Sequence, residues 1–272
     1  MMNFRLFTLL TSFTLLFCLT IARPSGSGLA VRFAARESRT SRPFINSTDT
    51  PNKAALVSNA AQDLYSTNWA GGLLESPPVG QRFTDVGGTF IVPTLDGNNG
   101  DGAMSAWIGI DGGPNAPEVI LQTGVDCYSI SGVQYSFAWF EWYPQYAFEF
   151  TNFFVSAGHT IALRVQAVNS TAGIVTLTNE STGQAVSEEV LAPDDNAALL
   201  GETAEWIVED FEQDDELVPF ASFGEVQFTD AAAFTGVEEI FASVGVAVDM
   251  VQNNAFLAIT RISENVVTID YA

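Results

Sequence analysis

The sequence predicts an all-β protein, a two-sheet antiparallel sandwich or barrel, and three observations predict it. Short alternating runs recur along the chain and are rich in Val, Ile, Thr, Phe, Tyr and Trp, the residues that suit a pleated, half-buried surface. Gly, Asn, Asp and Pro punctuate them as turn residues do. A 3.6-residue helical period is largely absent. At 272 residues the chain is long enough for one domain with a sizeable core, and no repeat at a fixed period divides it.

The elements begin with processing signals. Arg5 followed by the apolar run Leu6–Leu19 and the small residues around Thr20-Ile21-Ala22 reads as a secretory signal peptide over residues 1–22. The run is shorter than the ~20 residues a membrane-spanning helix needs. Residues 23–64 form a basic pro-segment containing Arg23, Arg32, Arg36, Arg39, Arg42 and Lys53, with Ser, Pro, Gly and Thr between them. Within it, 54–64 has the pattern of a short helix. After residue 64 the only basic residues are Arg82, Arg164 and Arg261, so a cationic leader precedes a strongly anionic domain over 65–272. That asymmetry makes the chain's own pro-segment a candidate inhibitor, docked on an anionic cleft at neutral pH and loosened by acid.

Eleven strands are expected in the domain: 69–74, 85–92, 103–110, 119–125, 135–143, 160–168, 174–179, 203–211, 225–228, 256–262 and 266–271. Side chains alternate faces with period two, and several strands then carry a face of carboxylates, an amide and aromatics. One face of 106–112 has Trp107, Gly109 and Asp111. The neighbouring runs supply Ile120, Gln122, Gly124 and Asp126, then Phe137, Trp139, Glu141 and Tyr143. The run 204–211 supplies Glu205, Ile207, Glu209 and Phe211. Sharing one sheet, these faces would line a groove suited to an extended polymer.

Composition narrows the chemistry. The formal net charge is -22, with 32 acidic and 10 basic residues, which excludes nucleic acid as a partner and disfavours anionic membranes. One His and two Cys cannot build a His-rich zinc centre, and no metal or organic cofactor is implied. No P-loop occurs. A Ser-His-Asp triad would have to use His159, and no GxSxG motif accompanies it. A Cys-His pair would have to use Cys127, whose surroundings read as those of a small buried side chain. Two Asp-Thr/Ser-Gly elements are absent; the nearest triplet is Gln122-Thr123-Gly124. What remains is one carboxylate with a neutral partner, or two carboxylates flanking a bond. With so few basic partners, the domain has few salt bridges to lose in acid. The sequons at Asn46, Asn169 and Asn179 suit a secreted, extracellular glycoprotein. Only one Cys follows the leader, so no intramolecular disulfide is expected, and nothing in the pattern suggests assembly beyond a monomer.

Six ordered segments carry a resemblance. They are Asn68-Trp69-Ala70-Gly71-Gly72, Ala106–Gly112, Ile120–Gly124, Trp139–Pro144, Ala204–Glu212 and Val218–Phe223. Together they resemble the fungal glutamic peptidases, the eqolisins, from about Ser66 to the carboxyl end. The resemblance implies a two-sheet antiparallel β-sandwich, concanavalin- or jelly-roll-like, and a pepstatin-insensitive acid endopeptidase acting on protein or peptide substrates. It places the catalytic dyad on Gln122 and Glu209, and substrate-binding residues on Trp107, Asp111, Asp126, Trp139, Glu141, Phe211 and Glu212. The sequence departs from the family pattern at Cys127, where an aromatic often stands, and between Glu212 and Val218, where some relatives carry a Cys-bounded loop.

A glutamic peptidase would use Glu209, with a carboxyl pKa near 4, to take a proton from water. The Gln122 amide would stabilise the oxyanion. Two other classes fit the aromatic groove: a retaining glycoside hydrolase using Glu141 and Glu209 with Trp107 and Trp139 stacked on sugars, and a non-catalytic lectin-like binder. Gln122 beside Glu209 distinguishes the peptidase, because neither rival requires it.

Overall fold

The computed structural model describes residues 38–49, 51, 63–116 and 118–272. The signal-peptide reading and most of the pro-segment lie outside these residues. Among the described residues nineteen strands follow one another: β1 (Arg39–Thr40), β2 (Asp63–Ser66), β3 (Trp69–Leu74), β4 (Asp85–Ile91), β5 (Gly102–Ile110), β6 (Ile120–Ile130) and β7 (Val133–Tyr143). Then come β8 (Phe148–Glu149), β9 (Thr160–Asn169), β10 (Ala172–Asn179), β11 (Gln184–Leu191), β12 (Ala204–Glu209), β13 (Glu212–Gln213) and β14 (Glu216–Leu217). The last are β15 (Glu225–Phe234), β16 (Glu239–Phe241), β17 (Val246–Gln252), β18 (Ala255–Ser263) and β19 (Val266–Tyr271). No α-helix occurs among the described residues, and none is therefore long and apolar enough to cross a membrane.

Two sheets face each other and share one strand. The first runs β11-β10-β9-β4-β15, and the second runs β19-β18-β17-β3-β12-β5-β6-β7-β8. β15 belongs to both: Glu225–Phe228 pairs with β19, whereas Thr229–Phe234 pairs with β4. The register shifts between Thr229 and Ala232, and Asp230 adopts a φ of 52° there. Such a bulge bends a strand and lets it pass from one sheet to the other. The architecture is the antiparallel sandwich expected from the sequence.

The core lies between the sheets because one alternating face of each is apolar. From the second sheet come Ala106, Ile108, Leu121, Val125, Ala138, Trp142, Trp206 and Val208. From the first come Phe90, Ile161, Leu163, Val165, Val175 and Leu177, and Phe228 comes from the strand the two sheets share. Each fully buried large side chain contributes ~1.5–3 kcal/mol relative to exposure. Trp206 crosses the layer and donates its indole N–H to the Gly87 carbonyl at 2.8 Å. Gly88 makes room for it, since a Cβ there would lie 3.0 Å from the indole.

The expected strands all form, most with one or more residues added at an end. The helical pattern over 54–64 is corrected at its end: Asp63 and Leu64 are in β2, which pairs in parallel with Ala247–Met250 of β17. Backbone pairing with β17 overrides a weak local helical preference. The rest of that pattern falls outside the described residues. β11 and β17 were not expected. β11 is an edge strand with most side chains exposed, and β17 is buried on both faces over most of its length, so neither alternates cleanly.

Candidate active site

The outer face of the second sheet forms the floor of a cleft. Register puts its side chains in rows across the strands. Glu141 pairs with Gln122, Gln122 with Gly109, and Gly109 with Glu205. The next row joins Trp139, Gly124, Trp107 and Ile207. A third joins Phe137, Asp126, Ser105, Glu209 and Trp69. Gln122 and Glu209 thus stand on strands separated by β5, with Trp107 between them. A Cβ on Gly124 would come within 2.4 Å of both the Trp107 Cβ and the Ala106 carbonyl oxygen. Glycine is required there for the indole to lie across the sheet. In that position Trp107 donates Nε1–H to Glu209 Oε2 at 2.9 Å.

Residues 38–49 run through this cleft as an extended strap. Arg39 and Thr40 pair antiparallel with Glu212 and Gln213, which pair in turn with β14. The Arg39 guanidinium is 2% exposed and forks onto Asp126, Nε to Oδ2 at 2.9 Å and Nη2 to Oδ1 at 2.8 Å. Its Nη1 donates to Glu141 Oε2 at 3.0 Å and its Nη2 to Ser105 Oγ at 3.1 Å. The same cation lies 3.7 Å from the Trp139 ring centroid and 4.8 Å from that of Phe211. Planar, delocalised arginine suits this combination of carboxylate fork and aromatic faces.

The two dyad candidates reach two atoms bonded to one peptide carbonyl carbon, its oxygen and its nitrogen. Gln122 Nε2 donates to the Ser41 carbonyl oxygen at 3.3 Å. The Arg42 backbone N–H donates to Glu209 Oε1 at 3.0 Å. Around that unit, the Ser41 N–H donates to Glu141 Oε2 at 3.0 Å and the Thr40 hydroxyl to Glu141 Oε1 at 2.7 Å. The Arg42 carbonyl accepts Trp69 Nε1–H at 3.0 Å and Asn68 Nδ2–H at 3.3 Å. The Arg42 guanidinium pairs with Glu212, Nε to Oε2 at 2.7 Å. Beyond it, Phe44 N–H donates to the Gly112 carbonyl at 2.8 Å, and Ile45 and Ser47 bond to the chain at 65–68.

Burial sets the electrostatics of the floor. With the strap in place, burial pushes the Glu209 carboxyl up to about 7, against the lowering effect of the Arg39 cation. The sequence expectation of a carboxyl near 4 belongs to a solvated group, and desolvation is the reason this one differs. Burial likewise pushes Glu141 up to about 8, again opposed by Arg39. For Arg39 burial disfavours the charge, but Asp126, Glu141 and Glu209 outweigh it and leave its pKa raised. Among the described residues no group of three or more His, Cys, Asp or Glu is placed to hold a metal ion.

Of the site residues expected from the sequence, Gln122, Glu209, Trp107, Asp126, Trp139, Glu141, Phe211 and Glu212 converge around the strap. Asp111 stands apart. It has a φ of 70°, and its carboxylate accepts the N–H groups of Leu200, Gly201 and Glu202 at 2.7–3.0 Å, anchoring that loop beside the cleft. Sequence reasoning did not single out Trp69, Asn68 or Ser105 as site residues. The signal was present: Asn68 and Trp69 open one of the resembling segments, and Ser105 shares the face of Trp107. The lone Cys127 is buried and free, its thiol pushed up to about 12 by burial. His159 meets the Asn179 side-chain amide at 2.9 Å, at the turn into β9.

Fold and site define a class: a β-sandwich whose sheet face receives extended polypeptide between a side-chain amide and a carboxyl group. The model of the Peptidase A4 family matches residues 67–271. The chain is 36% identical over 258 residues to Aspergillopepsin-2 of Aspergillus niger, covering 88% of each chain. It is 33% identical over 264 residues to Scytalidopepsin B of Scytalidium lignicola, covering 93% of this chain and 94% of that one. It also matches the crystal structure of scytalido-glutamic peptidase with a transition state analog inhibitor, with a TM-score of 0.68, 34% identity, and coverage of 76% of this chain and 98% of that one. The chain belongs to the Peptidase A4 (eqolisin) family and is a glutamic endopeptidase.

Proposed function

We propose that this enzyme is a secreted, pepstatin-insensitive acid endopeptidase whose catalytic dyad is Gln122 and Glu209. The observation that carries the reading is that the Gln122 amide and the Glu209 carboxyl address the carbonyl oxygen and the nitrogen flanking one backbone C–N bond. Those are the two atoms on which charge and a proton must be managed in amide hydrolysis.

In this mechanism ionised Glu209 takes a proton from water as the water oxygen attacks the scissile carbonyl carbon. The Gln122 N–H stabilises the oxygen as it becomes an oxyanion. When the C–N bond breaks, Glu209 passes its proton to the departing amine. Trp107 orients Glu209 through its indole N–H and leaves Oε1 for the reacting atoms. Asp126, Trp139, Glu141, Phe211 and Glu212 line the run of the bound chain, with Trp69 and Asn68 holding the carbonyl one residue beyond the bond. Asp111 acts indirectly, by anchoring the 200–202 loop.

The basic leader is read as an inhibitory pro-segment, because residues 38–49 fill the groove that a substrate needs. The glycoside hydrolase alternative gives Gln122 no role, whereas Gln122 donates to the Ser41 carbonyl oxygen. The test is hydrolysis of an unfolded protein by strap-free enzyme from about pH 2 to pH 8, with and without pepstatin, alongside Glu209→Gln. Acid-peaked cleavage that resists pepstatin and is absent from the variant is expected. A folded Glu209→Gln enzyme with full activity would end the assignment.

A further inference from the structure

We infer that the Ser41–Arg42 peptide bond is the enzyme's own first substrate: the strap is cut by the dyad of the same molecule. The inference rests on the dyad reading above and goes beyond inhibition, because a strap that merely blocked the cleft would need no particular bond in register.

The register is defined from both sides. Upstream, Arg39 is held by the Asp126 fork, Glu141, Ser105 and two aromatic rings, and the Arg39 carbonyl accepts the Ala147 N–H at 2.9 Å. Downstream, the Arg42 carbonyl is held by Trp69 and Asn68, and Phe44 by the Gly112 carbonyl. Of the three peptide units from Arg39 to Arg42, the Ser41–Arg42 unit has Gln122 on its oxygen and Glu209 on its nitrogen. Glu209 thus already contacts the atom to which it must deliver a proton. A bond held this way reacts intramolecularly, with the effective-concentration advantage of an oriented pair.

The step balances with one water. Ionised Glu209, the minority form below about pH 7 while the strap is bound, removes a proton from it, and the water oxygen bonds to the Ser41 carbonyl carbon. The Ser41 C–N bond then breaks, and Glu209 returns the proton to the Arg42 nitrogen. The products are a chain ending in the Ser41 carboxyl group and a chain beginning with the Arg42 amine. The cut separates Arg39 from the residues that pair with 65–68, so the two halves of the strap can leave independently.

The experiment uses the full chain purified at neutral pH and shifted to a series of values from about pH 3 to pH 7. Products are read by intact mass and amino-terminal sequencing. A product beginning at Arg42 is expected to form first, at a rate unchanged by dilution. It should be lost in Glu209→Gln and in Arg42→Pro, which removes the N–H that Glu209 accepts. Gln122→Ala should slow it by ~10²–10³-fold. Circular dichroism and thermal melting confirm that each variant is folded, and unfolded casein reports general peptidase activity. Three results would overturn the inference while leaving the dyad intact: casein hydrolysis with no product ever beginning at Arg42, a first cut elsewhere, or a rate proportional to protein concentration. Formation of the Arg42 product in folded Glu209→Gln, or no hydrolysis of any substrate, would remove both the inference and the dyad reading.

Discussion

Arg39 and Asp126 form a two-pronged ion pair inside the protein, with N–O distances of 2.9 and 2.8 Å and almost no exposure on either side chain. One partner comes from the basic leader and the other from the floor of the cleft, so the charge asymmetry between leader and domain is resolved in one contact. Long-range attraction between a cationic segment and an anionic domain has little positional precision. The guanidinium fork, with Glu141 and Trp139 beside it, supplies the precision and sets which residues reach Gln122 and Glu209.

Replacing Arg39 by Ala should therefore loosen the strap more than any other single leader substitution. Removing one member of a buried pair leaves its partners uncompensated, at a cost of about 3–5 kcal/mol. The expected outcome at neutral pH is a lower melting temperature and faster clipping of residues 38–49 by an added neutral protease. A strap equally protected in Arg39→Ala and wild type would contradict the anchor role.

Glu205 should make the fold sensitive to alkali. It is buried, and burial, reinforced by Asp111 and only partly offset by the Thr203 side chain, holds its pKa well above the ordinary 4.5. A carboxyl whose folded pKa is raised adds stability below its unfolded pKa and loses it as pH rises through the folded value. Glu141 and Glu209 act in the same direction, toward about 8 and about 7. The strapped protein should be most stable near or below pH 4.5 and lose stability toward pH 8. Glu205→Gln should melt higher than wild type at pH 7, with a much smaller difference at pH 4. Identical pH–melting curves would show that Glu205 does not contribute.

Gly124→Ala should impair the site through geometry alone. The added methyl would collide with the Trp107 Cβ and the Ala106 carbonyl. Overpacking of this kind costs ~1–3 kcal/mol. The displaced indole would also lose its bond to Glu209, so kcat should fall along with the melting temperature. Normal kcat in this variant would mean that the Trp107–Glu209 contact is dispensable.

Gln122→Ala in the strap-free enzyme should lower turnover of a peptide substrate by ~10²–10³-fold, about 2.7–4 kcal/mol in the barrier, because one oxyanion donor is lost. The loss should fall on kcat more than on KM, since the developing charge exists only in the transition state. An effect confined to KM would reassign Gln122 to substrate binding.

Much of the site was legible in the sequence because strand alternation is local. Once 106–112, 120–126, 137–143 and 204–211 are recognised as strands, their faces follow from period two, and the resembling motifs place Gln122 and Glu209. Trp69 and Ser105 were harder to see. Their importance comes from the row Asp126–Ser105–Glu209–Trp69, which exists only once register is known. The surroundings of Asp111 were hard to see for a related reason: its parity matches Trp107, but a positive φ at the strand's end turns its carboxylate onto the 200–202 loop.

The sequence by itself determined most of the strands, their buried and cleft-facing sides, the charge contrast between leader and domain, and the candidate residues for hydrolysis. Each of these depends on neighbours along the chain or on composition. Only the tertiary structure decided which strands adjoin, how β15 joins the two sheets, how far burial shifts Glu209, and which peptide bond of the leader lies between Gln122 and Glu209. Those properties depend on groups far apart in sequence, such as Ser41, Gln122 and Glu209, whose meeting is set by register and by exclusion of water rather than by any local pattern.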